Sequence, residues 1–271
     1  MIPVVRGKEP PILRAIRQRE LARLRQLGTI TSNDIDGYRD VSASLWRAQH
    51  LKCCYCEAII PEHYNDVEHY RPKARADRTP GCLETHGYWW LAFTWSNLLF
   101  ACPACNRSAK NDWFPLTHGS VALLPEQRPD SREKPLLLDP ASSTINPIEH
   151  IVHVLRGTRW HPEPRNGSQL GLWTIKVCDL DRDELHELRE KHITDIVIEK
   201  VEAFQFYLAN RQGSLVLNKE FRRMCALFAP EQAHAALSYD ALRHYIPDDL
   251  LLAAIGQTWP APGQVAARKC K

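Results

Sequence analysis

Hydrophobic residues recur every three or four positions in the first fifty residues, which is the spacing of helices with one buried face. The pattern predicts a helix over residues 11–27 and a second helix over about 34–50. The positions that carry it are Ile12, Ile16, Leu24 and Leu27 in the first helix, and Ile35, Tyr38, Val41 and Leu45 in the second. Two helices are therefore expected to lead into the middle of the chain.

The second half of the chain combines short strand signals with longer helical patterns. A proline-containing, charged loop is predicted over 117–136, followed by strands at 136–140 and 151–155. Helices are predicted to begin near 171 and to cover 183–209, 214–228 and 230–245, before a flexible tail that follows Trp259. We expect an α+β protein with N-terminal helices over 1–50, a middle module over 51–135 and a mainly helical region over 136–271.

Length and composition narrow the class of protein. The 271 residues are 44% hydrophobic and 25% charged, which is typical of a soluble globular protein. The chain has no run of 18 apolar residues, and its basic N-terminus has no apolar signal segment. These features predict a cytoplasmic protein with no membrane association. The net charge of +3 is too small to indicate nucleic-acid binding by the whole surface, so any basic patch must be local.

Cysteine is the most informative residue type in the middle module. Two Cys-x-x-Cys pairs, Cys53 with Cys56 and Cys102 with Cys105, provide four thiolates for one closed tetrahedral site. The other cysteines are expected to be small buried hydrophobic residues. The two pairs predict a structural Zn²⁺ ion. The simpler alternative is two pairs of reduced, buried thiols without a metal.

The residues around the two pairs are suited to hydrolysis. Glu68 and His69 lie in a predicted strand that breaks at Pro72, where neighbouring side chains point to opposite faces. A neutral imidazole can activate water, and a divalent cation can stabilise a leaving oxygen. Asn106 is expected to open a helix with Lys110 one turn later on the same face. The alternative is that the glutamate and histidine are ordinary surface residues.

The segment resembles HNH endonucleases, the ββα-metal family, in their zinc-knuckled form. The resemblance implies that His69 is the general base and that Asn97, an amide in an apolar segment, orients it. It also implies that Glu68 and Asn106 bind the catalytic metal ion. Oxygen ligands favour Mg²⁺ or Mn²⁺ there, and in the expected mechanism Lys110 offsets developing charge. A glutamate is a departure, because the family has aspartate or histidine at that position. Asp66 is the substitute candidate for this ligand.

A closer resemblance extends over most of the chain. The phrases CCYCEA, VEHYRPK, WSNLLFACPACNRSAK, LLLDPASSTINPIEHI and GLWTIKVCDLDRDELHELR are similar to PtuB-like HNH proteins of anti-phage systems, Septu and related retrons. This resemblance implies cleavage of nucleic acid, with DNA as the expected target. It also implies a hetero-oligomeric complex with a PtuA-like ATPase of the ABC/SMC type.

Basic residues cluster beside the proposed site. Arg71, Lys73, Arg107 and Lys110 are predicted to contact phosphates, which would position a duplex without reading its sequence. A solvated surface is the alternative interpretation. The competing function for the whole module is a non-catalytic zinc-binding module that binds nucleic acid or a protein partner and has no need of His69.

Overall fold

The computed structural model describes residues 1–79, 85–130 and 132–262, and the fold is α+β, as predicted. The helices are α1 (Pro11–Leu24), α2 (Ser42–Ala48), α3 (Gln169–Val177), α4 (Asp183–His192), α5 (Glu199–Ala209), α6 (Ser214–Cys225), α7 (Ala235–Tyr245) and α8 (Asp248–Ile255). The strands are β1 (Asp66–His69), β2 (Leu98–Ala101), β3 (Ile151–Arg156) and β4 (Arg159–Pro164). A π-helix at Ala104–Lys110, here called the knuckle helix, follows β2, and a second π-helical segment, Ile193–Ile198, joins α4 to α5.

The middle of the chain has the order strand, strand, helix that the sequence predicted. Strands β1 and β2 are antiparallel, with Glu68 opposite Leu99 and His69 opposite Leu98. The outer edge of β2 is covered by the buried side chain of Gln49, whose amide bonds both the N–H and the carbonyl of Phe100. An amide that mimics a neighbouring strand satisfies backbone groups that an edge strand leaves unpaired.

A second hairpin, β3–β4, leads into the helical region. Its register runs from Ile151 opposite Pro164 to Arg156 opposite Arg159. Helix α3 packs very closely on this hairpin because Gly171 has no side chain. A Cβ atom at Gly171 would lie 2.0 Å from the main-chain oxygen of His150. After α3, the chain forms one continuous helical stretch from 183 to 209, as the periodicity predicted. It consists of α4, the π-helical segment and α5.

Several predicted elements differ from the structure. The predicted helix over 34–50 is two 3₁₀ turns (Ser32–Asp34 and Tyr38–Val41) followed by α2, because Gly37 has a φ of 87° and interrupts the helical path. Residues 136–140 are irregular instead of forming a strand, and α7 begins at Ala235 instead of 230. Helix α8 was not predicted. Of the expected flexible tail, residues 263–271 lie outside the described part of the chain.

The hydrophobic core does not follow the predicted division at residue 135. One cluster joins the cysteine pairs to Leu137, Leu138, Val177 and Leu185. Two further clusters lie beside it, one under α1 and α2 and one among the C-terminal helices. The middle module therefore shares its core with the β3–β4 and α3 region.

Glu57 connects three parts of the chain from a buried position directly after the first cysteine pair. Its carboxylate accepts hydrogen bonds from the N–H groups of Ile2, at 2.9 Å, and Ala236, at 3.1 Å. Burial alone would raise the pKa of Glu57, but the ammonium of Met1 and that of Lys52 outweigh it and bring the pKa down to about 2. The charged carboxylate therefore stabilises the folded state.

Substituting Glu57 by glutamine removes this charge while keeping the shape of the side chain. We expect Glu57→Gln to lower the free energy of unfolding at pH 7 by about 3 kcal/mol, the energy equivalent of moving a pKa from 4.5 to about 2. Because the folded-state pKa is the lower one, the stabilisation is complete above about pH 5 and is lost as the pH falls toward 2.

Denaturant unfolding of wild type, Glu57→Gln and the exposed control Glu187→Gln between pH 3 and pH 7 measures this contribution. The difference between wild type and Glu57→Gln should be constant from pH 7 to about 5.5 and shrink in more acidic buffer. A Glu57→Gln protein as stable as Glu187→Gln at pH 7 would show that the carboxylate contributes no net stability.

Candidate functional site

The four cysteines of the two pairs converge on one point. Their sulfur atoms all lie within 4.8 Å of one another, and the Sγ atoms of Cys56 and Cys102 are 3.9 Å apart. Zinc bonded tetrahedrally to four sulfurs at about 2.3 Å requires sulfur separations of about 3.8 Å. The set of Cys53, Cys56, Cys102 and Cys105 thus fits a zinc ion in both chemistry and spacing, as the sequence predicted.

Each cysteine pair is shaped by a tight local turn. In the first pair, the N–H of Cys53 donates to Ala58 at 3.0 Å, and the N–H of Glu57 donates to Cys53 at 3.1 Å. Glu57 takes a positive φ of 62°, which closes the turn. The second pair runs from the end of β2 into the knuckle helix, where the N–H of Asn106 donates to Cys102 at 3.0 Å. Two backbone turns therefore point four sulfurs inward.

One arginine side chain lies against the sulfur cluster. The guanidinium of Arg182, from the segment before α4, lies 3.4 Å from Sγ of Cys105. Burial would lower the pKa of Arg182, but the neighbouring thiolates raise it instead. Hydrogen bonds from the other three thiols hold the pKa of Cys102 well below its usual range, while burial raises the pKa of Cys53. Metal binding must displace the protons that remain on the other sulfurs, so affinity should rise with pH.

Glu68 lies on the face of β1 that points toward the knuckle helix. Its Oε1 atom is 2.6 Å from Nζ of Lys110 and accepts a 3.1 Å hydrogen bond from the hydroxyl of Tyr55. Burial raises the pKa of Glu68, although the lysine opposes this shift. The same ammonium donates to the main-chain oxygen of His69 at 3.0 Å.

Lys110 is a correction to the sequence analysis, which expected its ammonium to face a phosphate. The side chain is completely buried and is an internal partner of Glu68. A buried carboxylate without a neighbouring cation is very costly, so the interior of the module needs this pair.

His69 points to the opposite face of β1, as the strand geometry predicted. Its Nε2–H donates to the main-chain oxygen of Ala92 at 2.9 Å, and its ring packs edge-on against Tyr38 with 4.6 Å between the centroids. Burial, followed by the nearby charge of Lys73, lowers the pKa of His69 to about 3. The imidazole is therefore neutral at pH 7. With Nε2 holding the proton, Nδ1 carries a lone pair, and none of the described residues bonds it.

Asn97 fixes the backbone on both sides of this histidine. Its Oδ1 accepts the N–H of Arg71 at 2.8 Å, while its amide group donates to the oxygens of Arg71, at 3.0 Å, and Leu91, at 3.2 Å. Arg71 lies two residues after His69, and Leu91 lies next to Ala92, the acceptor of the histidine's hydrogen bond. The buried amide therefore holds the histidine and its hydrogen-bond acceptor in register, which is the geometry needed to orient the ring.

The structure pairs Asn106 with Asp66 instead of Glu68. The side-chain amide of Asn106 donates to Oδ2 of Asp66 at 3.2 Å, and Nε of Arg107 donates to the same oxygen at 2.9 Å. Among the described histidine, cysteine and carboxylate side chains, neither of the two groups close enough to share a metal includes Glu68 or Asp66. The roles of these residues as ligands of a catalytic metal remain predictions.

The predicted basic rim is only partly available to a ligand. Arg71 is half-buried and pairs with Glu133 at 2.7 Å, because that buried carboxylate needs a partner. Lys73 donates to the hydroxyl of Tyr38 at 2.8 Å and lies over the tyrosine ring. Arg107 keeps most of its side chain exposed despite its bond to Asp66. Of these three expected phosphate contacts, Arg107 is thus exposed and Lys73 is half-buried. Arg71 is paired with a buried carboxylate.

Three residues that contact these groups were not identified from the sequence. Tyr38 packs on His69, Tyr55 bonds Glu68, and Arg182 approaches Cys105. The sequence pattern indicates only that Tyr38 is an apolar position of a helix. Its proximity to the histidine is a tertiary contact, for which a local pattern carries no signal.

A comparison with curated proteins identifies a relative of this chain. Septu protein PtuB of Bacillus mycoides (strain KBAB4) is 36% identical over 215 residues, which cover 74% of this chain and 70% of the relative. The chain belongs to the PtuB family. No protein-family model matches the sequence, and no solved structure matches it significantly.

Membership in the PtuB family confirms that part of the closer resemblance, while the HNH assignment stays a prediction. It does not by itself test the nuclease residues. Across the described part of this PtuB-family chain, no helix is long and apolar enough to cross a membrane.

Removing one sulfur tests the four-cysteine cluster. We expect Cys102→Ser to bind one zinc ion per chain fewer than wild type and to give a lower yield of folded protein, because a structural zinc contributes directly to folding. Elemental analysis and circular dichroism of matched preparations measure both effects.

Cys54→Ser is the matched control, because Cys54 lies in the same turn but outside the sulfur cluster. It should retain the zinc content of wild type. Equal zinc content in Cys102→Ser and Cys54→Ser would exclude the cluster as a zinc site.

Proposed function

We propose that this chain is a metal-dependent HNH endonuclease that hydrolyses phosphodiester bonds of nucleic acid, with DNA as the expected substrate. The observation that carries the proposal is the state of His69. Its imidazole is neutral, one nitrogen is fixed to Ala92, and the other has a lone pair with no partner among the described residues. A positioned neutral imidazole can accept a proton from water, and the negative charge of a bound phosphate would raise its low pKa toward the operating pH.

In the proposed reaction, Nδ1 of His69 accepts a proton from a water molecule, which attacks the phosphorus in line with the leaving 3′ oxygen. Asn97 holds the backbone that carries the histidine and so keeps the lone pair directed. Lys73 and the exposed Arg39 lie on the same side of the module, close enough to lower the pKa of His69. We propose that these two cations attract a phosphate, and Arg39 extends the set proposed from the sequence, which already included Lys73.

A metal held by oxygen ligands would be a hard cation. Glu68 and Asn106, with Asp66 as the alternative to Glu68, would hold Mg²⁺ or Mn²⁺, whose chemistry is to neutralise charge on the phosphate and the leaving oxygen. In this structure the Lys110 ammonium already occupies a cation position on the Glu68 carboxylate. Binding a metal there requires Glu68 to share its charge between the metal and the lysine.

The same ion pair favours a second candidate function, a zinc-binding module without catalysis. If the Glu68 carboxylate only neutralises the buried charge of Lys110, its position is explained without a catalytic role. Such a module would bind nucleic acid or a protein partner through its surface and would not depend on His69.

We further propose that the chain acts in anti-phage defence with a PtuA-like ATPase of the ABC/SMC type. Membership in the family of Septu protein PtuB supports this proposal. Three large apolar side chains of the helical region, Leu188, Phe206 and Leu215, are exposed to solvent, and we propose that they contact this partner.

Cleavage of plasmid DNA tests the proposed base. With Mg²⁺ or Mn²⁺ present, we expect His69→Ala to cut at least about 100-fold more slowly than wild type, the usual loss when a general base is removed. Both proteins should be folded and loaded with zinc, and EDTA should stop the wild-type reaction. His63→Ala, on an exposed loop, is the matched control and should cut normally.

If wild type is silent alone, the assay is repeated with the ATPase partner. Absence of cleavage in that complex would favour the non-catalytic module, whereas equal cleavage by His69→Ala would exclude His69 as the general base.

The ion pair gives a second test, which separates its structural role from metal binding. Lys110→Met leaves a buried carboxylate unpaired, and we expect it to lower the free energy of unfolding by about 3–5 kcal/mol. The double variant Glu68→Gln with Lys110→Met removes both charges and should recover most of that stability.

Nuclease assays on this folded double variant then distinguish the two functions of Glu68. Loss of Mg²⁺-dependent cleavage is expected if Glu68 binds the metal. Full activity in the double variant would rule out Glu68 as a ligand and move that role to Asp66.

A further inference from the structure

A second group of metal-binding side chains lies away from the cysteines. His161 is on β4, Asp181 is in the segment between α3 and α4, and His186 is on α4. Their ligand atoms lie within 4.8 Å of one another. Neither the sequence patterns nor the proposed nuclease chemistry uses these residues.

The distances in this group match those around a bound metal. Oδ1 of Asp181 is 3.0 Å from Nδ1 of His161 and 3.3 Å from Nε2 of His186. Nitrogen and oxygen ligands at about 2.0–2.1 Å from a tetrahedral zinc ion are separated by about 3.3 Å. The two imidazole rings pack directly on each other at an angle of 57°, with 4.5 Å between their centroids.

The hydrogen bonding of His186 shows which of its nitrogens faces the group. The ring is only 5% exposed, yet its Nδ1 atom has no hydrogen-bond partner. Its other nitrogen, Nε2, points at Asp181 and lies 2.9 Å from the main-chain oxygen of that residue. A buried histidine that serves only packing normally uses both nitrogens. Without a metal, Nε2–H donates to that oxygen, so a metal on Nε2 would require the proton to move to Nδ1, the nitrogen that has no partner.

We propose that His161, Asp181 and His186 bind a divalent ion of the zinc type, separate from the four-cysteine cluster. Two imidazoles and one carboxylate favour Zn²⁺ or Co²⁺ over Mg²⁺ or Ca²⁺, which prefer all-oxygen sites. A fourth position remains for water. The proposal does not depend on the nuclease function.

The position of the group gives the ion a structural role. Arg182, the residue after Asp181, contacts Cys105 and also bonds the main-chain oxygen of Asp179 at 2.8 Å. A metal that fixes Asp181 to β4 and α4 would restrain the segment that brings Arg182 to the sulfur cluster. The two metal sites would thereby be linked through one short segment.

Titration with Co²⁺ tests the proposal on the full chain without an affinity tag, after its cysteine cluster has been loaded with zinc. We expect one equivalent of Co²⁺ to produce weak visible d–d absorption without a thiolate charge-transfer band, because the proposed ligands contain no sulfur. His161→Ala should reduce Co²⁺ affinity at least tenfold. His161 is half-exposed, so this variant should fold.

Asp181→Asn provides an independent variant, and His150→Ala is the control, because His150 is also half-exposed and uses its Nδ1 atom in a hydrogen bond. Loss of the absorption in both ligand variants but not in His150→Ala supports the site. The proposal is overturned if wild type gives no d–d absorption, if only a thiolate charge-transfer band appears, or if His161→Ala binds Co²⁺ like wild type.

Discussion

Four thiolates that lie within 4.8 Å of one another repel strongly, so a cation or protons must hold them together. This constraint organises the middle of the molecule. The first cysteine pair ends at Glu57, which reaches the N-terminus and α7, and the second pair opens the knuckle helix that carries Lys110. The positions of the candidate site and of the helical region thus depend on the same cluster.

Charge pairing inside the protein explains why a module expected to be basic offers few free cations. Glu68, Glu133 and Glu57 are buried carboxylates, and each takes a neighbouring cation as its partner. Two residues that the sequence predicts to contact phosphate, Lys110 and Arg71, are therefore paired with buried carboxylates instead. His69 is different, because a neutral imidazole needs no counter-charge and can keep one nitrogen free in a buried position.

Local sequence patterns predicted the features that depend on local geometry. The cysteine pairs, the opposite faces of Glu68 and His69 and the continuous helix over 183–209 all follow from spacing along the chain. The burial of Lys110 and the approach of Arg182, 77 residues from Cys105, are tertiary contacts that spacing does not encode. The His161, Asp181 and His186 group was missed for the same reason, since its members come from three separate elements.

Gly171 has a consequence for recognising distant relatives. Any side chain at this position would push α3 away from the β3–β4 hairpin and disturb Thr174, which bonds the backbone at Leu138 in the shared core. A homologue could retain all four cysteines and still differ in its C-terminal half if it lacks this glycine. A sequence profile used to find such proteins should therefore give Gly171, which has no reactive side chain, as much weight as the four cysteines.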